Sequence, residues 1–146
     1  MADLFGSLVT SASALTAERL RMTVIAGNIA NANTTRTAAG GPYRRSVAVL
    51  TPSQQPFGSA LSALGQSGGE ANGVEVAAIV PDPSPFRLVY DPSHPDADAQ
   101  GFVRYPNVDI LQEMVDLMAA SRTYEANLTA FNTAKTIAQK TLELGR

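Results

Sequence analysis

The chain has 146 residues and a formal net charge of −2, with 11 basic and 13 acidic side chains interspersed along it. This balance gives no general footprint for binding nucleic acid or an anionic membrane surface, and the length suits one domain better than two. Cysteine is absent, which excludes a disulfide framework, a thiolate nucleophile and a cysteine-based metal site.

The first ten residues, MADLFGSLVT, lack both the basic region and the sustained apolar core of a signal peptide. No apolar run in the sequence reaches the roughly 18 residues that a membrane-spanning helix needs. We therefore expect no stable membrane insertion. The protein is expected to stay in the cytoplasm or to leave it by a route that reads no cleaved leader.

Proline divides the chain into three zones. All nine prolines lie between Pro42 and Pro106, and residues 1–41 and 107–146 contain none. Because proline breaks helices, this distribution predicts two helical ends around a turn-rich middle. We expect an α+β fold in which an N-terminal helix (domain 1–41) and a C-terminal helix (domain 107–146) pair as a coiled-coil-like inner layer, with a small β-rich outer domain between them (42–106).

The N-terminal zone carries a narrow apolar stripe with a period of seven, at Leu8, Leu15, Met22 and Ile29. Those positions share one helical face, and such a narrow stripe needs a partner surface to cover it. The stripe ends in GNIANANTTRT, residues 27–37. Asparagine disfavours helix interiors, and we expect Asn31 or Asn33 to end the helix in the left-handed conformation.

The C-terminal zone predicts one long helix over about residues 108–144, with Asn107 as its N-cap. Two apolar series with a period of seven, offset by four, form a seam along it. One series is Ile110, Leu117, Tyr124, Phe131 and Ala138, and the other is Met114, Ser121, Leu128, Lys135 and Leu142. The seam is longer than the N-terminal stripe, so part of it is left uncovered, which predicts contact with further copies of this chain or with similar chains.

The middle predicts short strands at 43–50, 73–80, 86–90 and 102–105, and a flexible polar loop near 51–72. Arg44 and Arg45 could contact a phosphate, but a basic patch of two residues is more typical of a solvated strand face, which is the prediction here. These strands form a small β element and not a large sandwich.

The candidate chemistry is concentrated in YDPSHPDADAQG, residues 90–101, where Asp91, His94, Asp96 and Asp98 are potential ligands for a cation. The fragment lacks the closing carboxylate of a calcium loop. Aspartates that cap turns are the favoured alternative. His94 is the only histidine, and neither a nucleophile elbow nor a phosphate-binding glycine motif accompanies it. We therefore assign no catalytic, cofactor-binding or metal residues and expect no enzyme and no cofactor.

Three stretches of the chain resemble the bacterial flagellar axial proteins. GNIANANTT, at 27–35, resembles the family's Asn-Ala-Asn-Thr signature, and the chain from Gly101 onward resembles the family's C-terminal helix. LVYDPSHPDADAQGFVRYPNV, at 88–108, narrows the resemblance to the C-type proximal rod proteins. The resemblance covers residues 4–50 and 73–146. Where other axial proteins have an aromatic-bearing turn, this chain has Arg36 and Ala38, and the segment 40–43 is expected to make that turn a few residues later.

The resemblance implies a structural subunit that is synthesised in the cytoplasm and exported unfolded by the flagellar type III apparatus. It would then assemble helically, with other copies of itself and other rod proteins, into the rod that crosses the periplasm as part of the flagellar basal body. Phe5 and Val9 resemble the short export element of early flagellar substrates. The expected assembly interface consists of Leu8, Leu15, Met22, Ile29, Asn31, Asn33, Ile110, Met114, Leu117, Tyr124, Leu128, Phe131 and Leu142. The alternative is a soluble helical adaptor or secretion chaperone that acts through the C-terminal seam.

Overall fold

The computed structural model describes residues 2–53 and 73–144. In chain order the elements are α1 (Ala2–Ala30), β1 (Ser46–Pro52), β2 (Val74–Pro81), β3 (Arg87–Tyr90), β4 (Phe102–Tyr105) and α2 (Ile110–Leu144). The predicted α+β class is confirmed, since two long helices flank a small β region. The predicted loop near 51–72 lies, from residue 54 onward, outside the described residues.

The strands form two two-stranded sheets, β1 with β2 and β3 with β4. β3 and β4 are antiparallel, and Val89 lies opposite Val103 in their register. Val103 is completely buried, whereas Tyr90 and Phe102 form an exposed edge-to-face ring pair whose centroids are 5.3 Å apart. One face of this hairpin therefore lies against the protein and the other faces outward, as alternation along a strand requires.

Contacts divide the chain into two compact units. The first is drawn from Met1–Leu20, Leu50–Ala77 and Ser121–Arg146, and the second from Arg21–Val49 and Ala78–Ala120. The four largest side chains that are fully buried in the described residues, Asn28, Val103, Pro106 and Glu113, all belong to the second unit. The predicted domain limits at 41 and 106 remain a prediction.

The covered face of α2 differs from the predicted seam. Leu117, Tyr124 and Phe131 of the first series are half-buried, as a seam requires. Met114 and Leu128 of the second series are exposed, together with Leu142, at 48%, 40% and 68%. The second edge of the covered face is instead formed by the residues three positions after members of the first series: Glu113, Ala120, Asn127 and Ala134. Small side chains at Ala120 and Ala134 allow a neighbouring backbone to approach closely, which a series of large side chains would prevent.

The covered face of α1 is likewise richer in small and polar residues than the stripe predicts. Leu8, Leu15, Met22 and Ile29 are half-buried, while the buried positions over residues 6–30 are Ala17, Glu18, Ile25 and Asn28. None of the helices in the described part of the chain is both long and apolar enough to cross a membrane.

Candidate functional site

The second unit contains a connected set of polar side chains and one backbone segment, at Ser46, here called the polar junction. Its members are Asn28, Tyr43, Arg45, Ser46, Asp82, Asn107 and Glu113. They come from the end of α1, the chain that leads into β1, the chain that follows β2, and the start of α2. The junction therefore ties together, within one compact unit, segments that are distant in sequence.

Asn28 is the most completely bonded residue of the junction. Its Nδ2 donates to the carbonyl oxygen of Ser46 at 2.9 Å and to Oε2 of Glu113 at 3.0 Å. Its Oδ1 accepts from the Tyr43 hydroxyl at 3.0 Å and from the backbone N–H of Ser46 at 2.9 Å. A side-chain amide offers two donors and two acceptor positions, and all four are used. This is what allows a polar side chain to be only 1% exposed.

Glu113 is fully buried and its charge is matched by Arg45. Nε of Arg45 donates to Oε1 of Glu113 at 2.6 Å, and the guanidinium also lies 3.3 Å from a carboxylate oxygen of Asp82 and 3.7 Å from one of Asp116. Burial by itself lowers the pKa of Arg45, but the hydrogen bonds and charges of Glu113 and Asp82 outweigh it, so the net shift of the pKa is upward. The prediction that Arg45 lies on a solvated strand face is wrong, because its guanidinium is bonded to the buried carboxylate of Glu113. That partner lies 68 residues further along the chain.

Asn107 belongs to the junction and does not cap α2. Its Oδ1 accepts from the backbone N–H of Arg45 at 2.9 Å, and its Nδ2 donates to the carbonyl oxygens of Asp82 and Ser84 at 3.3 and 3.2 Å. The predicted N-cap role of Asn107 is therefore wrong. Asp109 caps the helix, since its Oδ1 accepts from the backbone N–H of Leu111 at 2.9 Å.

Asp82 is held ionised by its local turn as well as by Arg45. Its Oδ1 accepts hydrogen bonds from both the hydroxyl and the backbone N–H of Ser84. These two bonds, with Arg45 adding a smaller contribution, hold the pKa of Asp82 below its ordinary value of 3.8. The anionic form of Asp82 is therefore stabilised by specific donors.

The polar junction fits a structural role better than a chemical one. A cavity of about 110 Å³ borders Asn28, Arg45 and Glu113, which is well below the ~300 Å³ at which small-molecule sites begin. The polar atoms of these three side chains already bond to one another or to neighbouring groups. The geometry thus holds segments together and presents no group poised to react.

The first turns of α2 carry exposed apolar side chains on the side away from the junction. Leu111 is 73% exposed and Met118 is 55% exposed. At about 100° per residue these side chains project from the face opposite Glu113 and Ala120. We call this surface the outer face of α2, and its members are Ile110, Leu111, Met114, Val115 and Met118. Further along the helix the same face turns polar, with exposed Arg122, Glu125, Thr129 and Thr133.

The start of α2 therefore has one side covered at Glu113 and Ala120 and an opposite, apolar side that is exposed. An apolar patch left exposed on a protein surface commonly marks a contact surface. The outer face includes Ile110 and Met114 of the expected interface. It also includes Leu111, Val115 and Met118, which lie outside the single seam predicted for this helix.

The two asparagines of the expected interface differ in what they contact. Nδ2 of Asn31 donates to the carbonyl oxygen of Gly27 at 2.9 Å, and Oδ1 of Asn31 accepts from the Thr34 hydroxyl at 3.2 Å. Asn33 is exposed. Asn31 thus completes the helix end inside its own chain, while Asn33 faces outward.

Helix α1 does not end in the way the sequence predicts. In the described part of the chain the positive φ angles belong to Gly40, Gly41 and Gly101, so neither Asn31 nor Asn33 is left-handed. The last turn tightens instead, with the N–H of Asn31 reaching the carbonyl oxygens of both Gly27 and Asn28. The expected turn over 40–43 is confirmed by the two glycines, at φ 86° and 76°.

The acidic segment 90–101 makes turns, as the favoured alternative predicts. Oδ1 of Asp91 accepts from the N–H and hydroxyl of Ser93, and Oδ1 of Asp98 accepts from the N–H groups of Gln100 and Phe102. Within residues 2–53 and 73–144, no group of three histidine, cysteine, aspartate or glutamate side chains could hold a metal ion.

His94 and Asp96 also have local partners. Nδ1 of His94 accepts from the backbone N–H of Asp96 at 3.1 Å, and its ring lies 6.2 Å from that of Tyr105. Oδ2 of Asp96 accepts from the Thr35 hydroxyl at 2.8 Å, which ties the acidic segment to the stretch after α1.

The proposed export element lies on α1, where Val9 is 62% exposed, and its role remains a prediction.

Comparison with known proteins assigns both ends of the chain to one class. Residues 8–36 match the family model of the flagella basal body rod protein, and residues 99–144 match that of the flagellar basal body rod FlgEFG protein C-terminal region. The first range contains Asn28 and the second contains Asn107 and Glu113. The matched regions therefore supply both helices that meet at the polar junction.

Three relatives are similar over nearly their whole length, and each is named flagellar basal-body rod protein FlgC. The relative from Bacillus subtilis (strain 168) is 50% identical over 97% of this chain and 98% of its own. Those from Borreliella burgdorferi and Aquifex aeolicus (strain VF5) are 43% and 38% identical, over 97% and 98% of each chain. The chain belongs to the FlgC family of flagellar basal-body rod proteins.

Proposed function

We propose that this chain is a structural subunit of the bacterial flagellar rod. In this proposal it is exported unfolded by the flagellar type III apparatus and assembles helically, with copies of itself and other rod proteins, into the shaft that crosses the periplasm. The observation that carries the proposal is 50% identity, over nearly the whole of both chains, to a protein named as a basal-body rod protein.

The geometry supports an assembling protein over an enzyme. The polar junction satisfies its own charges and donors, so it has no need of a substrate or cofactor to complete it. The outer face of α2, by contrast, leaves Leu111 and Met118 in water. Covering such side chains gains about 25 cal/mol for each Å² of apolar surface removed from water, which favours association with a neighbouring subunit.

The proposal is tested by replacing the chromosomal gene with one that encodes Leu111→Asp. Leu111 lies in the middle of the outer face, so a charge there opposes any contact that excludes water. Gln112→Asp is the matched control, because it adds the same charge one residue further on, beside the outer face and still in the first turn. Circular dichroism of both purified variants establishes that the helices are retained.

We expect Leu111→Asp cells to lose swimming motility and rods, and Gln112→Asp cells to keep both. Full motility and normal rods in Leu111→Asp cells would show that the outer face of α2 takes no part in assembly. Full motility in cells that lack the gene altogether would overturn the proposed function itself.

A further inference from the structure

The outward side of the β3–β4 hairpin is an exposed surface of aliphatic, aromatic and basic side chains. In the register, Leu88 lies opposite Arg104, and Tyr90 lies opposite Phe102. Directly opposed residues of an antiparallel pair point to the same side, so these four share the side that faces away from buried Val103. We call them the hairpin face. Aromatic and arginine side chains are enriched where proteins bind one another, so this composition indicates a contact surface.

A cleft of about 540 Å³ opens beside the hairpin face, within the second unit. The side chains that give it its character are apolar or charged: Arg44, Phe86, Leu88, Asp98, Phe102 and Arg104. The guanidinium of Arg44 lies 4.2 Å from the centre of the Phe86 ring, and its Nη1 donates to the carbonyl oxygens of Asp82 and Ser84. One positive charge is therefore fixed in place at the cleft.

The charge of the cleft is positive overall. Arg44 and Arg104 supply two guanidiniums and Asp98 one carboxylate. Oδ1 of Asp98 already accepts from the backbone N–H groups of Gln100 and Phe102. A partner that fits this site therefore combines exposed apolar side chains with negative charge.

The outer face of α2 has the apolar pattern that such a site requires. Leu111, Met114, Val115 and Met118 are exposed, and they lie at positions i, i+3, i+4 and i+7 of the helix. This is the spacing by which an amphipathic helix places its side chains in an apolar groove.

The start of α2 also has the matching charge. Residues 105–121 contain three acids, Asp109, Glu113 and Asp116, and neither lysine nor arginine. Glu113 is buried, whereas Asp109 is exposed directly before the outer face begins. Basic side chains at the cleft and acidic ones at the start of α2 make the two surfaces complementary in charge as well as in polarity.

We propose that the hairpin face and its cleft, in one copy of this chain, bind the outer face of α2 of a second copy. The two surfaces differ, so the contact is heterologous, and a bound pair still presents one surface of each kind. Contacts of this type build an open helical array unless they close into a ring. The inference therefore rests on the proposed function and names the two surfaces by which neighbouring copies meet.

Photo-cross-linking in purified basal bodies tests this contact. The only copy of the gene encodes Phe102→p-benzoylphenylalanine, which keeps an aromatic side chain in the hairpin face and bonds on irradiation to a group that it touches. Cleavage after arginine releases residues 105–122, with the whole outer face, as one peptide. We expect a species of twice the mass of the chain, in which residue 102 of one copy is joined to that peptide of another.

The matched control is Ile79→p-benzoylphenylalanine, at a 49% exposed position of β2, which should form no bond to the 105–122 peptide. The proposal is overturned if residue 102 bonds to another peptide, to a different protein, only within its own chain, or to nothing in assembled rods.

The charge at Arg104 provides a second test, in irradiated intact cells that carry the same photo-reactive residue. Arg104→Glu should lower the yield of the cross-linked pair at least about tenfold, because like charges across a contact repel. Arg104→Lys keeps the charge and should leave the yield within about twofold. Equal yields from the two variants would contradict a contact that depends on charge.

The outcomes for this contact and for the proposed function are separable. Rods that contain the chain, but in which residue 102 is not joined to the 105–122 peptide, would overturn the contact and leave the function standing. Normal rods in cells that lack the gene would overturn the function, whereas a cross-linked pair in the parent cells would still support the contact.

Discussion

Nδ2 of Asn28 in α1 donates a hydrogen bond to Oε2 of Glu113 in α2 at 3.0 Å. Both side chains are buried, and Arg45 completes the second oxygen of the carboxylate. This hydrogen bond between an amide and a carboxylate thus joins α1 and α2, the helices of the two proline-free zones. The energetic consequences of this contact can be measured on the isolated protein.

Asn28→Ala should lower the free energy of unfolding by about 1–3 kcal/mol, because it leaves buried groups on Ser46 and Glu113 without a partner. Urea unfolding followed by circular dichroism measures the change. Asn33→Ala, at an exposed position of the same stretch, should stay within about 0.5 kcal/mol of the parent. Equal losses in the two variants would show that Asn28 acts only as a local helix-ending residue.

Arg45 and Glu113 should be strongly coupled in a double-mutant cycle of Arg45→Met and Glu113→Gln. A contact of 2.6 Å that involves a buried carboxylate predicts a coupling free energy above about 1 kcal/mol. The comparison pair is Arg36 and Asp96, which are 3.9 Å apart with Arg36 81% exposed. Exposed pairs of this kind contribute little, so their cycle should give less than about 0.5 kcal/mol. Similar values for the two pairs would contradict the importance assigned to burial.

Acidification should destabilise the protein through Asp82. Its folded pKa lies below the ordinary value of 3.8, so Asp82 contributes stability above that pH and loses the contribution as the pH falls through the folded pKa. Ser84→Ala removes the largest cause of the shift, the hydroxyl hydrogen bond. In this variant the carboxyl carbon of Asp82 should titrate at a higher pH by NMR, and the unfolding free energy should fall less steeply below pH ~4. An unchanged titration would show that Ser84 does not set the pKa.

Asn33 should matter for assembly and not for the stability of the free subunit. Its side chain is exposed at the end of α1, whereas Asn31 is bonded to Gly27 and Thr34 in its own chain. Asn33→Ala should therefore reduce rod formation while its urea midpoint stays that of the parent. If rod formation is unaffected, the asparagine signature serves the helix end alone.

The sequence predicted the elements well where local chemistry decides them. The C-terminal helix was expected at about 108–144 and lies at Ile110–Leu144, and the strand expected at 102–105 is observed there. These predictions rested on the distribution of proline and on the series Leu117, Tyr124 and Phe131. The turn chemistry of Asp91 and Asp98 was also readable, since aspartate bonds to N–H groups a few residues onward.

The polar junction could not be predicted in the same way. The sequence makes Arg45 look like a surface residue because no acidic side chain lies near it along the chain. Its partner Glu113 is known only once the fold brings α2 to it. Asn107 was predicted to cap α2 because a cap is recognised from its position just before a helix. Its side chain instead bonds to the distant residues Arg45, Asp82 and Ser84. Asn28 was visible as one of three asparagines, but no local signal marked it as the buried one.

The most direct test of the rod assignment is the position of this chain in the basal body. Basal bodies are purified from cells whose only copy carries a small tag in the segment 54–72, and the tag is located by image reconstruction. The assignment predicts tag density at a helically repeating position in the rod, and loss of the rod when the gene is deleted. Intact rods without the tag, and the tagged chain recovered in the cytoplasm, would contradict it.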